Sequence, residues 1–335
     1  MQLYCNYTIM QLHKNVIECK LSNRRLFQVI SADCLRRKYL SQSAVNKSNN
    51  VAKKFIYRPQ VNEFLNHLIG RNTFFVLVEK DAIDFVFRYL QKEKENSMKV
   101  LVIPDVHLKP DMFEQAASLM RREIAERAVC LMDIPDDWGK EYEIELYTKT
   151  FDAAISFAKE YPDTYFCYGN HDLSYVWGMM ESGYSSYAAG VVRQKLKELE
   201  DVLAKADNPP QYIQRIDNVI FCHGGLLDYF VRETVPARER NNLGEVINRI
   251  NALNSDKMWN DASPIWFRPQ YSKGKRYGEE TILQVVGHTP VEKIERRGNV
   301  LSCDVFSTYR DGRPIGTREF LLLDTCTWEY TGIAG

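Results

Sequence analysis

No stretch of the 335-residue chain approaches the roughly 18 consecutive apolar residues of a membrane-spanning helix. The longest apolar runs, such as 74–78, are strand-sized. The N-terminus has no basic start followed by an apolar run, so no secretory signal and no membrane partner are expected. The eight cysteines contain no Cys-x-x-Cys pair, which argues against a structural cysteine–metal site. Cys130, Cys167, Cys222 and Cys303 each lie in or at the end of an apolar run, where a thiol behaves as a small core residue. The expected compartment is the cytoplasm. There is no internal repeat and no long low-complexity tract, and 45% hydrophobic with 26% charged residues excludes wholesale disorder.

Net charge is also lacking, with 44 Lys+Arg against 44 Asp+Glu. A zero total argues against a protein that coats nucleic acid or a membrane surface only if the charge is evenly spread. It is not. Residues 1–97 hold 16 basic and 8 acidic residues, a net of +8, so residues 98–335 hold 28 basic and 36 acidic, a net of −8. The first piece has one glycine, Gly70, and one proline, Pro59. A polar linker at 92–97 separates two pieces of different character, 1–97 and 98–335.

In the second piece short apolar runs alternate with helical spacing. Strands are expected at 99–104, 128–132, 165–168, 219–222, 282–286, 300–303 and 320–323, and helices over 111–128, 142–161, 191–206 and 243–253. That alternation indicates a layered α/β domain. The late strands, with hardly any helix between them, point to a partly antiparallel sheet system. The residues just past each strand carry the chemistry. After the first comes Asp105-Val-His107, and after the second Asp133-Ile-Pro-Asp136. The third is followed by Gly169-Asn170-His171-Asp172, the fourth by His223-Gly-Gly225, and the run at 282–286 by Gly287-His288-Thr289-Pro290. All four histidines of this piece fall just past a strand, where open α/β sheets place their ligands.

Asp, Asn and His supply hard oxygen and borderline nitrogen donors, a set suited to Mn²⁺, Fe or Zn²⁺. One carboxylate can bridge two cations about 3.5–4 Å apart, which then activate water and clamp phosphoryl oxygens. An acid for the leaving oxygen and a cation for the equatorial oxygens complete such a centre. A lone Asp-x-His is common by chance; five such blocks in this order, each after a strand, are not.

These blocks resemble the calcineurin-like metallophosphoesterase family, in its phosphoprotein phosphatase and diadenosine tetraphosphatase-like branch. The resemblance implies a four-layer sandwich of two mixed β-sheets flanked by helices, with a small N-terminal α+β extension. It implies two divalent ions, Mn²⁺ first and Fe or Zn²⁺ as alternatives. Asp105 and His107 would hold the first, Asp133 would bridge both, and Asn170, His223 and His288 would hold the second. His171 would be the general acid, oriented by Asp136. A metal-bridging hydroxide would attack in line. Asp304 resembles the late Asp of small bacterial members. The diesterase branch usually ends in Gly-His-x-His, whereas Pro290 stands at that last position, which resembles the phosphatases.

Two departures stand out. The glycine usually preceding the bridging Asp is Met132, and the Asp-Arg-Gly segment of the family reads Asp136-Asp137-Trp138-Gly139. A carboxylate where a phosphate clamp belongs would repel a dianion, so either Asp137 points away or another cation substitutes. Arg268, in 263–269, resembles a later phosphate-contacting arginine; the plain alternative is a surface guanidinium stacked on Trp266 or Phe267. Tyr309 could line the pocket. Segment 172–206 reads better as a helical pair packed on the sandwich than as a substrate cap.

Residues 1–97 carry no motif with chemistry. A strand at 72–79 and an amphipathic helix at 81–95 are expected. The basic clusters Arg24-Arg25, Arg36-Arg37-Lys38 and Lys53-Lys54 could touch nucleic acid, but a solvated basic face is the simpler reading. His13 and His67 read as structural. This piece is expected to be a basic extension or accessory domain. For the whole chain the expectation is a two-metal phosphomonoesterase acting on a phosphorylated protein or nucleotide. The competing readings are a phosphodiesterase or nuclease, and a scaffold that binds metals without turnover.

Overall fold

The structure is a computed structural model. It describes residues 98–335 and four strands before them, β1 Met10–His13, β2 Val16–Leu21, β3 Arg25–Ser31 and β4 Phe75–Glu79. The helix expected over 81–95, the basic clusters at 36–38 and 53–54, and His67 lie outside the described residues. So do Arg24 and the side chains of His13 and Arg25. The chain divides into two compact units, 1–97 and 98–335. In the first, β1 to β4 form one antiparallel sheet in sequence order.

The second unit is built on two five-stranded sheets. One has the order β14-β13-β5-β6-β7, from Tyr330–Ile333, Phe320–Asp324, Lys99–Ile103, Arg127–Cys130 and Tyr165–Phe166. The other has the order β11-β12-β10-β9-β8, from Glu295–Arg297, Val300–Ser302, Leu283–Val286, Val219–Cys222 and Ile213–Ile216. In each, three adjacent strands run parallel (β5-β6-β7 and β9-β10-β12) while the flanking strands run antiparallel. Both sheets are therefore mixed.

Alternation of side chains builds the layers. Val100, Val102, Val129, Phe221, Val285 and Leu323 pack between the sheets. Leu101, Ile103, Ala128 and Cys130 point the other way, against helices α1 Asp111–Arg121, α2 Ile144–Glu160 and α4 Ala189–Lys205. On the far face of the second sheet, Ile220, Cys222 and Val286 meet α5 Asp228–Thr234, α6 Leu243–Asn251 and α7 Ser255–Met258. This is a four-layer sandwich. A shorter helix, α3 Asn170–Trp177, begins directly at the end of β7.

Three expectations are refined. Helix α1 stops at Arg121 rather than 128, because Glu123 turns left-handed (φ 55) and the chain re-enters the sheet as β6. Helix α4 starts at Ala189 rather than 191 and buries Val192, Leu196, Leu199 and Leu203 along one side. The strand read over 128–132 ends at Cys130, where Met132 and Asp133 take positive φ (55 and 41). Among the described residues, no helix is long and apolar enough to cross a membrane.

Candidate active site

The carboxyl ends of the parallel strands of both sheets converge, and each delivers one or two of the expected side chains. Strand β5 leads to Asp105 and His107, β6 to Asp133 and Asp136, and β7 to Asn170 and His171. Strand β9 leads to His223, β10 to His288 and β12 to Asp304. Backbone strain concentrates here. His107, Leu108, Met132, Asp133, Asp136 and His288 account for six of the eleven described non-glycine residues with positive φ. Each costs about 1–3 kcal/mol, held in place by the surrounding hydrogen bonds. The left-handed backbone at Met132 gives a physical reason for a glycine at that position in the resembling family.

Close approach is secured by two glycines. A Cβ on Gly169 would fall 2.0 Å from Asp133 Oδ1, and one on Gly287 would fall 1.8 Å from Asp105 Oδ1. Their bare backbones let the loops after β7 and β10 close onto the carboxylates after β6 and β5. The His288 N–H then donates to Asp105 Oδ2 at 2.7 Å, and the His171 N–H to Asp133 Oδ1 at 2.9 Å. Asp172 accepts from the N–H groups of Gly169, Asp133 and Ile134 (3.0, 2.9 and 3.1 Å), pinning α3 to the Asp133 turn.

Two donor groups of metal-ligand geometry result, Asp105–His107–Asp133 and Asp133–His223–His288, each with its ligand atoms within 4.8 Å. Asp133 belongs to both. The histidines are set for ligation: His107 Nδ1 donates to Asp136 O at 2.9 Å and His223 Nδ1 to Leu131 O at 3.2 Å. Those bonds turn both Nε2 atoms toward the carboxylates, as second-shell partners of metal-bound histidines do. His223 Nε2 then faces Asp133 Oδ2 (3.1 Å), Asn170 Oδ1 (2.9 Å) and His288 Nδ1 (3.1 Å). With Nδ1 donating, a neutral His223 meets acceptors at Nε2, an arrangement that either a proton on Nε2 or a bound cation would satisfy.

The titration tendencies agree. Burial alone would lower His223, but Asp133 and Asp105 outweigh it and push it up to about 9. Burial and neighbouring Asp304 raise Asp105. Asp105 Oδ1, Asp304 Oδ2 and His288 Nε2 are buried without a hydrogen-bond partner. An oxygen–imidazole donor set with orphaned buried atoms fits divalent cations.

Beside these donors, His171 Nδ1 lies 3.0 Å from Asp136 Oδ2. Asp136 Oδ1 accepts from Tyr147 and Tyr175 hydroxyls at 3.0 and 2.5 Å, which fixes the carboxylate. Burial would lower the His171 pKa, yet Asp133, the Asp136 hydrogen bond and Glu181 push it up to about 10. A cavity of ≈ 220 Å³ is lined by His107, Asp136, His171, Arg268 and His288 among others. Arg268 is anchored through Nη1 to His288 O (2.5 Å) and Thr289 Oγ1 (3.2 Å), rather than lying on the surface over an aromatic ring. Its loop reaches the site because Gly224 and Gly225 donate to Pro264 O and Phe267 O at 2.7 and 3.0 Å. Tyr309 is exposed and outside that cavity.

Sequence reasoning missed two residues. Glu181, in the loop between α3 and α4, accepts from Asn170 Nδ2 at 2.6 Å, so the segment after α3 is not merely packing. Lys109 donates to Asp137 Oδ2 at 3.1 Å and to His107 O at 2.9 Å, neutralising the carboxylate that looked out of place. Lys109 sits two residues past His107, a cue available in the sequence. Glu181 had none, because nothing local to it marks a partner eleven residues back.

A family model described as calcineurin-like phosphoesterase matches residues 98–312, and one of a family of unknown function matches residues 9–120. A search of curated proteins finds no match. Similar solved structures include a cold-active protein-tyrosine phosphatase of a psychrophile, Shewanella sp. It is 18% identical over 70% of this chain and 80% of that one, with a TM-score of 0.44. A second structure titled as a cold-active protein tyrosine phosphatase is 17% identical over 70% and 78%, also at 0.44. The family match spans well over half of the chain and includes every side chain of the strand-end cluster, Asp105 through Asp304. The chain belongs to the calcineurin-like phosphoesterase family.

Proposed function

We propose that this metal-dependent phosphoesterase hydrolyses phosphomonoesters of phosphoprotein or nucleotide type, using two divalent cations, Mn²⁺ first and Fe or Zn²⁺ as alternatives. Asp105, His107 and Asp133 would hold one; Asp133, Asn170, His223 and His288 the other. The observation that carries this reading is the meeting of both donor groups at Asp133 beside the His171–Asp136 pair. The preference for a monoester rests on Pro290, which leaves the first group without a second late histidine.

The cations, when bound, supply Lewis acidity toward the phosphoryl group and activate the attacking water. The chain does the rest. Arg268 faces the cavity and neutralises phosphoryl oxygens. Asp136, held by two tyrosine hydroxyls, keeps a proton on His171 Nδ1, so Nε2 can protonate the leaving oxygen. Cations at Asp133 would offset the carboxylate charge that raises His171 and so lower its pKa from about 10, in the direction a general acid needs. Asp137 does not oppose a dianion as a bare charge, because Lys109 engages it. This removes the main motive for a non-catalytic scaffold.

Four of the described cysteines are buried free thiols, which agrees with a reducing compartment, and the cytoplasm is the proposed location. Residues 1–97 are proposed as a basic extension or accessory domain, with nucleic-acid contact not favoured. Turnover of p-nitrophenyl phosphate with added Mn²⁺, against its bis-ester, tests the reading. Faster cleavage of the bis-ester would favour the diesterase, and bound metal without turnover of either would favour the scaffold.

A further inference from the structure

The turn after Asp136 joins three segments of the chain. Asp137 Oδ1 accepts from its neighbour Trp138 N at 2.8 Å and from Thr308 Oγ1 at 2.9 Å, while Oδ2 takes the Lys109 ammonium. The carboxylate therefore ties the 137–139 turn both to the His107 segment and to the loop at 307–314. That loop is itself closed by Tyr309 N donating to Arg313 O and Gly312 N to Tyr309 O, both at 2.8 Å. The result is a wall of three hydrogen-bonded segments. Trp138 lines the cavity yet is 42% exposed. The Arg310 guanidinium lies over its ring, 4.7 Å from the centroid. Among the described residues no carboxylate pairs with Arg310.

Between this wall and the centre, Ser307 and Thr308 line the cavity. Both hydroxyls donate to carboxylates, Ser307 to Asp304 Oδ1 at 2.7 Å and Thr308 to Asp137. Their lone pairs are left to accept from hydroxyl donors of a ligand. The cavity lining thus includes two hydroxyls and the Trp138 indole, with the Arg310 guanidinium over that ring. At ≈ 220 Å³ the cavity takes a phosphoryl group and the start of a leaving group, leaving anything larger at the mouth.

We propose that Trp138, Arg310, Ser307 and Thr308 form a nucleoside subsite, so that the leaving group is a nucleoside, with its sugar at the hydroxyls and its base at Trp138. This rests on the phosphomonoesterase reading above. A phosphotyrosyl ring would meet the same indole but carries no hydroxyls for Ser307 and Thr308.

The test compares AMP with ribose 5-phosphate, which share phosphate and sugar and differ by the base. With Mn²⁺ present, kcat/KM is expected to favour AMP by roughly five- to a hundredfold, the range of one base–aromatic stack. In Trp138→Ala that ratio falls to near one; in Trp138→Phe most of it returns; in Arg310→Ala it falls part of the way. Intrinsic fluorescence quenched by AMP in the unmodified protein but not in Trp138→Phe gives a readout independent of turnover. Equal rates on the two substrates would overturn the subsite and leave the phosphomonoesterase standing. Turnover of neither would leave the enzymatic reading to the p-nitrophenyl phosphate assay, and the fluorescence titration would still decide the subsite, absence of quenching sinking it. A Trp138→Ala defect confined to phosphotyrosyl peptides would replace the nucleoside with a peptide.

Discussion

The two donor groups that share Asp133 are unlike. The first is carboxylate-rich, with Asp105 and Asp133 joined by buried Asp304, and its one imidazole, His107, is partly exposed. The second is imidazole-rich and buried, with His223 and His288 facing Asp133 and Asn170. Oxygen-dominated, partly open sites suit hard and exchangeable cations, whereas buried imidazoles suit borderline metals held more tightly. The difference follows from the fold. The first group comes chiefly from the sheet containing β5 and β6, the second from β9 and β10 of the other. Asp133 joins them because Gly169 and Gly287 let the loops close.

The largest effect is expected where the two groups meet. Asp133→Asn keeps the volume and one oxygen for the His171 N–H but removes the shared charge. Metal analysis should show both cations lost and turnover lowered by more than the ~10⁴-fold of a single acid–base group. Retention of the second cation would show that His223 and His288 suffice without the bridge. His171→Asn sits beside both groups and belongs to neither. It should leave metal content near normal while lowering kcat about a hundred- to ten-thousandfold. Loss of metal in that variant would move His171 from acid to ligand.

Glu181 sharpens the contrast, since it touches the second group alone. Its carboxylate accepts from Asn170 Nδ2, which fixes the amide with Oδ1 toward His223. Glu181→Ala frees that amide to rotate, and affinity for the second cation should fall roughly ten- to a hundredfold, as for other second-shell losses. The first cation should be unaffected, and Glu181→Gln, which keeps an acceptor, should restore much of the loss. Equal weakening of both cations in a competition titration would refute the separation.

These residues also mark how far the sequence could be read. The strand-end side chains were legible because a buried apolar run followed at once by Asp, Asn or His is a local pattern. The short outer strands were not: Glu295–Arg297 is all charged, and Ile213–Ile216 is only half apolar. Such edges gain strand character from a neighbour, not from their own residues. The hydroxyls of Tyr147 and Tyr175 on Asp136, and the Glu181 contact, arise only when α2, α3 and the following loop pack together. Asp137 was legible as an anomaly, but its resolution by Lys109 required the turn after His107 in three dimensions.

That pair yields the smallest expected effect and the finest test. Burial would raise the Asp137 pKa, but the Lys109 ammonium and the Trp138 N–H outweigh it and hold the carboxyl below the usual range. Asp137 is therefore ionised at neutral pH while Lys109 engages it. In Lys109→Met the stem packing is largely kept while the positive charge is lost, and a bare carboxylate then faces the cavity shared with Arg268. Repulsion of a dianionic phosphate through partly screened surroundings is worth about 1 kcal/mol, roughly a fivefold rise in KM with kcat little changed. Adding Asp137→Asn removes the exposed charge yet keeps an oxygen for the Trp138 N–H and the Thr308 hydroxyl. The double variant should bring KM back toward that of the unmodified protein. If it does not, Lys109 acts by holding the His107 carbonyl, and the defect should appear instead as weaker binding of the first cation.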